Sequence, residues 1–307
     1  MLLLKLLKEM KETEVVNLIK KKFPLTGDDS YWEKDGIAIS VDSSVQGRHF
    51  LLTRDNWVEE GIWNAVAGSI TDVSAVGSKP ELILTSFCFP QDTKGSVIET
   101  ALSSLEKVSD FFSLKVVGGD LSRTSKDIVF SVTVVGFNAV GPGLSCAKNG
   151  DLIGVTGYPG KRPLGWYLAI NEISHEDDLI QDALKPKPNI SFPLKISRMV
   201  SSMTDITDGL GFDLMNICSK SNVNADIYKN IPASPVMERL FIDLNLDKED
   251  FYKQGGDYEY LFTFDEKYEN EIKRISIKEE IPFSVIGRIG NGNLPNWYGK
   301  GSEIRWS

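Results

Sequence analysis

The chain has 307 residues, 41% of them hydrophobic, with a formal net charge of -9. That length accommodates two domains or one large one with a sizeable core. The acidity excludes a nucleic-acid binder, which needs a basic stripe to displace counterions. A protein of this charge that handles phosphates must recruit metal ions for much of its positive charge. Cys88, Cys146 and Cys218 are widely separated, so neither a disulfide framework nor a zinc knuckle is expected, and buried reduced thiols are the default. Lys5 and Lys8 break the leading leucines before a signal-peptide core accumulates, and no later run approaches a membrane span. The expected setting is a reducing cytoplasm, with neither nucleic acid nor membrane as partner.

In chain order, Val15, Leu18, Ile19 and Lys22 follow helical spacing. The loop TGDDSYW at 26–32 carries adjacent acids Asp28 and Asp29 and reads, alone, as a turn. The run GIAISV at 36–41 is a short strand that ends on Asp42 and continues as SSVQGRHF. An acid just after a strand, in a loop with serines, a glycine, Arg48 and His49, has the character of a site. His175 lies in SHEDD, where a solvated role is expected, which leaves His49 as the better candidate histidine. From 53 to 76 the pattern is helical, with Val58, Ile62, Val66, Ile70 and Val73 as the apolar stripe. Its other face is a row of small residues, Gly61, Ala65, Gly68 and Ala75, interrupted by Asp72. Close packing explains the small residues, but an Asp within the row would then be buried without a partner, so Asp72 is expected to face a metal.

A strand at 81–90, a helix at 96–112 and a strand running into VVGGDLSR at 116–123 follow. A glycine pair at a strand end lets backbone amides approach phosphate, and Asp120 beside it can hold a metal there. The alternating run 127–138 completes a βαββαβ-like unit, and Gly-Pro-Gly at 141–143 marks a boundary. Beyond it come a strand and glycine turn in AKNGDLIGVTGYPG, a helical LGWYLAI and the linker Lys185-Pro-Lys-Pro-Asn189. The stretch MTDITDGLGFD at 203–213 then gathers Asp205, Asp208 and Asp213 around a helix start. Capping of orphan amides accounts for one acid. A second beside it is stable only with positive charge between them, and from this segment alone both capping and a metal stand. Strand and helix patterns continue at 225–228, 235–246 and 266–278, with QGGDYEYLFTF as a glycine turn feeding a strand and PFSVIGRIG closing the sheet. The tail offers Trp297, Tyr298 and Trp306 as core, interface or ligand platform.

Taken in order, TGDDSYW, SVDSSVQGRHF, SITDVSAVGSKPE, VVGGDLSR, AKNGDLIGVTGYPG, LKPKPNI, TDITDGLGFD and GGDYEYLFT resemble the thiamine-monophosphate kinases over nearly the whole chain. That family belongs with aminoimidazole ribonucleotide synthetase, selenophosphate synthetase and a hydrogenase maturation protein. The resemblance implies an α/β plus α+β fold. Residues 1–140 would form an ATP- and metal-binding domain whose sheet makes a barrel across a homodimer, and 141–307 a C-terminal α+β domain. The implied reaction is direct in-line transfer from ATP to thiamine monophosphate, with several magnesium ions. Asp29, Asp42, Asp72, Asp120, Asp205 and Asp208, helped by Ser40, match the family's metal-binding residues. Gly119, Asp120 and Thr207 match residues at the ATP phosphates, His49 matches a substrate contact, and Trp297 is taken as the ring that stacks on thiamine. No catalytic group beyond the metal ligands is implied.

Three positions depart from the family's pattern. Leu144 stands where an arginine is usual, Gly256 where a glutamate associated with substrate is usual, and Val41 where a threonine is common. Two further readings remain open at this point: another ATP-using member of the superfamily with a different acceptor, or a thiamine-phosphate-binding protein without catalysis.

Overall fold

A computed structural model of the chain describes residues 12–23, 25, 28–173, 176–228 and 230–290. His175, Trp297, Tyr298 and Trp306 lie outside the described residues. After helix α1 (Glu12–Lys22), the first half builds a five-stranded sheet from β1 (Tyr31–Trp32), β2 (Ile37–Val45), β3 (Lys79–Pro90), β4 (Lys115–Thr124) and β5 (Val129–Phe137). The spatial order is β1-β2-β5-β3-β4. All its pairings are antiparallel except β3 with β4, because of the paired neighbours only those two are joined by a crossover helix, α3 (Gly95–Phe112). The second half builds another five-stranded sheet in the order β7-β9-β6-β10-β8. Its strands are β6 (Leu152–Thr156), β7 (Val200–Asp205), β8 (Asn224–Ile227), β9 (Tyr260–Phe264) and β10 (Phe283–Gly290). Around it lie α4 (Lys161–Ile170), α5 (Asp177–Leu184), α6 (Ser191–Ile196), α7 (Leu210–Ser221), α8 (Pro235–Asp243), α9 (Lys248–Tyr252) and α10 (Glu269–Lys278). Each half is thus a sheet with helices, the α/β-plus-α+β pairing expected.

The element that joins them is α2 (Trp57–Ala75). Its apolar stripe, Val58, Ile62, Val66, Ile70 and Val73, packs in the core of the first sheet with Phe87, Phe130, Val132 and Val134. Its last residue, Ala75, belongs to a core of the second half with Leu152, Phe192, Met203 and Phe262. Only Trp57, Glu59 and Asp72 of this helix escape full burial. The small-residue row is there for close approach. A Cβ at Gly61 would stand 2.8 Å from the Phe50 ring, and one at Gly68 would stand 1.9 Å from Oδ2 of Asp42 on β2.

Three details correct the sequence expectations. The Gly118-Gly119-Asp120 stretch is not at a strand end: β4 continues through it to Thr124, because residues 118–124 pair in parallel register with Leu84–Pro90. The small-residue face of α2 is packed against β2 and not held open, and Asp72 has a partner in the Ser40 hydroxyl. Of the cysteines, only Cys218 is buried, while Cys88 is intermediate and Cys146 exposed, all three free.

Overpacking at the contact between α2 and β2 would push the buried Asp42 side chain from its place. Gly68→Ala is expected to cost about 1–3 kcal/mol. A urea denaturation midpoint lower than that of the unsubstituted chain checks it.

Candidate functional site: buried aspartates at the junction of the two halves

The acids come together where the two sheets face each other across α2, and each arrives on a different element. Asp29 precedes β1, Asp42 is on β2, Asp72 on α2, and Asp205 closes β7. Asp208 follows in the turn before α7 and is exposed, whereas Asp205 is fully buried. Strand alternation sets the aim of β2: Ala38, Ser40 and Ser44 are buried while Val41 is exposed, so Asp42 shares the inward face.

Hydroxyls from both halves hold these carboxylates. Ser40 Oγ donates to Asp72 Oδ2, Thr71 Oγ1 donates to Asp205 Oδ2, and Thr204 Oγ1 donates to Asp29 Oδ2 at 2.6 Å. The last two cross between the halves, so a residue on each side fixes an acid of the other. The amide of Ser43 donates to Asp42 Oδ1 at 2.7 Å. The other Asp205 oxygen, Oδ1, is buried with no hydrogen-bond partner.

Asp213 answers the question of capping. Its Oδ2 accepts from the amides of Thr207 and Asp208, both at 3.1 Å, so one acid of the three orders the turn.

Burial and mutual repulsion raise these carboxyls. Asp29 is pushed up to about 7, chiefly by burial, against the lowering effect of the Thr204 hydroxyl. Asp42 is pushed up to about 6, by burial first and then by the Asp208 charge, while the Ser43 amide lowers it. Burial first, then the neighbouring acids, drive Asp72 and Asp205 well above the carboxylate range; Asp72 is repelled by Asp205, Asp29 and Asp42, and Asp205 by Asp29, Asp42 and Asp208. Such a set of oxygen ligands has the chemistry of a hard divalent cation site. The orphaned Asp205 Oδ1 is an acceptor that a cation would satisfy. Among the described residues no three acid, histidine or cysteine side chains are already drawn into a closed ion cage.

Ser40, Asp29, Asp42, Asp72, Asp205 and Asp208 therefore share one region, with Thr207 beside Asp208. Asp120 and Gly119 do not. Ser43, Ser131, Ser86 and Asp120 form one cross-sheet row, which puts Asp120 three strands from Ser43, about 14 Å at the usual strand spacing. Asp42, one residue from Ser43, points to the opposite face of the same sheet. Asp120 is exposed and accepts from its neighbour Ser122 at 2.8 Å. His49 lies in the loop after β2 and is exposed at the surface. Its Nδ1 accepts from the Val45 amide at 2.9 Å, which leaves Nε2 as the outward nitrogen. Burial of the ring's inner side, and then the Arg162 charge, lower its pKa and favour the neutral imidazole.

Sequence reasoning missed the hydroxyls Thr71 and Thr204, each adjacent to an acid it had singled out. It also missed Arg162, whose side chain reaches Gly256 O and Asn64 Oδ1. A Lys-Arg-Pro helix start gives no sign of an inward guanidinium.

The two halves match the family models described as AIR synthase related protein, N-terminal domain, over residues 27–138, and C-terminal domain, over 148–296. The fold and the paired acids at its junction thus define an AIR synthase-related protein. A relative from Buchnera aphidicola subsp. Schizaphis graminum, a thiamine-monophosphate kinase, is 32% identical over 265 residues, 82% of this chain and 79% of the relative. The chain belongs to the thiamine-monophosphate kinase family. A crystal structure of thiamine monophosphate kinase from Aquifex aeolicus superposes with a TM-score of 0.83 at 27% identity, covering 94% of this chain and 96% of that one. Another solved structure, "AaThiL complexed with AMPPCP and TMP", gives a TM-score of 0.84 at 27% identity over 94% of this chain and 93% of that one.

The raised carboxyls fix the sign of a pH effect. Asp29 and Asp42 hold protons in the folded chain at a pH where the unfolded chain has lost them, so folding binds protons. Stability from these groups is fully present below pH 4 and is lost as pH rises through about 6 and 7. In chelator-treated protein, the melting temperature is expected to fall by about 5 °C or more between pH 5.5 and pH 8. Differential scanning fluorimetry in matched buffers at fixed ionic strength reads it.

Proposed function

We propose that this chain transfers the γ-phosphoryl group of ATP directly to the phosphate of thiamine monophosphate, giving ADP and thiamine diphosphate. The convergence of Asp29, Asp42, Asp72, Asp205 and Asp208 at the junction of the halves carries this reading. The acceptor is itself a phosphate monoester with second pKa near 6, mostly dianionic at neutral pH. No general base is required, in keeping with a neutral, backbone-tethered His49 and no other described histidine near the acids. The difficulty is electrostatic: at ~4 Å and an effective dielectric of ~20, each pair of unit negative charges repels by about 4 kcal/mol.

Magnesium ions, when bound, would supply the positive charge that lets two polyanions approach. Asp29, Asp42, Asp72, Asp205 and Asp208 are the residues to hold them, with Ser40, Thr71 and Thr204 fixing which carboxylate oxygen faces inward. Thr207 lies at the ATP phosphates, its amide ordered by Asp213. His49 offers Nε2 to the acceptor, and Trp297 is retained as the stacking ring. Residues 1–140 serve as the nucleotide, metal and dimer domain, and 141–307 as its counterpart.

Gly119 and Asp120 belong to the site through a second copy of the chain. Among the described residues nothing covers the outer face of the first sheet, with Val41 64%, Leu84 40% and Val116 46% exposed, and nothing pairs with the outer edge of β4. An apolar sheet face with a free edge is a surface for another sheet. A homodimer built there closes the two sheets into a barrel and brings one protomer's Gly119 and Asp120 to the rim of the other's aspartate site.

Incubation of the purified chain with ATP, Mg²⁺ and thiamine monophosphate is expected to release ADP and thiamine diphosphate in equal amounts, and EDTA to stop it. Asp42→Asn or Asp208→Asn should lower kcat by about 100-fold, several kcal/mol of charge stabilisation. Near-normal magnesium-dependent turnover in either variant would falsify the metal-cluster account. For the shared site, Asp42→Asn and Asp120→Asn are each expected to keep only about 1% of normal activity alone. Unfolded together and refolded, they should recover about a quarter of normal activity, since half the dimers are mixed and each holds one intact site. No recovery on mixing, with folded dimers present, would place both acids of a site in one protomer.

A further inference from the structure

We propose that Arg162 is a positioning residue that sets the spacing between the two halves of the aspartate site; the site's function is taken from the kinase reading above. Arg162 stands in the first turn of α4, in the second half of the chain. Its guanidinium reaches three separate elements: Nε donates to Ala183 O at 2.7 Å on α5, Nη1 to Gly256 O at 2.6 Å, and Nη2 to Asn64 Oδ1 on α2. The guanidinium carbon lies over the Tyr258 ring, 4.7 Å from its centroid. Asn64 is itself held, donating to Glu60 O at 2.8 Å and to Leu184 O at 3.2 Å.

The loop that Arg162 grips is the one that backs the Asp205–Asp208 turn. Gly256 N donates to Thr207 O at 2.9 Å and Tyr258 N to Ile206 O at 3.1 Å. Asp257 pins the same loop to the start of α4 by accepting from Gly160 N at 2.7 Å and Arg162 N at 3.1 Å. A chain of hydrogen bonds therefore runs from Asn64, on the helix that carries Asp72, through Arg162 and Gly256 to Thr207 and Asp208. The fit is tight at both ends. A Cβ at Gly255 would stand 1.9 Å from Thr207 O, and one at Gly256, where φ is +83°, would stand 2.6 Å from Arg162 Nη1. A side chain at 256 would have to displace the guanidinium as well as adopt a positive φ.

All three guanidinium bonds go to neutral oxygens, while the Asp257 carboxylate acts on it through charge. What is used is the planar fork with fixed directions, and not the charge alone. Lysine keeps the charge and loses the fork. Groups that orient metal-holding residues from behind are worth roughly 10–100-fold in metal affinity or activity.

The test compares the unsubstituted chain with Arg162→Lys, Arg162→Ala, Asn64→Ala and the Asn64→Ala/Arg162→Ala double variant. The readouts are melting temperature, kcat, KM for both substrates and the Mg²⁺ concentration at half-activation. Arg162→Lys is expected to melt close to the unsubstituted chain yet need about 10-fold more Mg²⁺. Asn64→Ala should shift Mg²⁺ demand in the same direction, and the double variant should be no worse than Arg162→Ala, because both remove one link. Unchanged Mg²⁺ demand and kcat in Arg162→Lys, or effects confined to melting temperature, overturn the proposal. If Arg162→Ala does not fold, Arg162→Lys and Asn64→Ala carry the test. If the unsubstituted chain makes no thiamine diphosphate, the kinase reading fails by itself, and Mg²⁺ titration calorimetry on the same proteins still decides: equal affinity in Arg162→Lys overturns the positioning role, weaker affinity supports it.

Discussion

Like charge, buried and brought together, is the constraint that organises this molecule. Asp29, Asp42, Asp72 and Asp205 repel one another where solvent cannot screen them, and each is raised in pKa by burial before anything else. A fold tolerates this only if each carboxylate is held by donors that fix its direction. Ser40, Thr71, Thr204 and the Ser43 amide are those donors. Two of the four bonds connect the halves, so the arrangement that opposes repulsion also defines how the sheets face each other. The cost of gathering acids thus becomes part of what specifies the interface between domains.

The row of small side chains on α2 serves the same end. Packing β2 against a helix face without bulk puts the Asp42 carboxylate against Gly68, with Asp72 one helical turn further along and tied to Ser40 on the same strand. A larger residue in the row would separate helix and strand and pull the two acids apart. Bringing the two acids together and packing tightly are here the same requirement.

Much of this was legible in the chain itself. The periodicity of α2, the strand that leads to Asp205 and the excess of acids at 205–213 all follow from short-range pattern, and the structure bears them out; Asp42, read as lying in a loop after its strand, is instead inside β2, which the pairing with β5 carries on to Val45. The ordered series of acidic segments also sufficed to point to the family. Pattern did not reveal strand order, which is a property of pairing across the whole sheet. Asp120 therefore read as one more acid beside a glycine pair, although β4 lies at the sheet's far edge and is a continuous strand there. Nor did pattern separate the three acids of the 203–213 stretch, since only the backbone trace shows Asp213 turned back onto the amides of Thr207 and Asp208. Arg162 was out of reach for a related reason: its partners, Asn64, Ala183 and Gly256, are distant in sequence and two of them offer only backbone oxygens.

Helix α2 has one further implication. Its stripe is interior to the first sheet's core while its final turn is interior to the second's, so the boundary seen in the strand order does not correspond to a place where the polypeptide could be cut. An isolated amino-terminal fragment would bare the end of a nearly all-buried helix to water, and the complementary fragment would lose the wedge around which Phe192 and Phe262 close. Recombination among such proteins would be constrained accordingly: exchanging one half for that of a cousin must carry over, or rebuild, the seat that receives this helix.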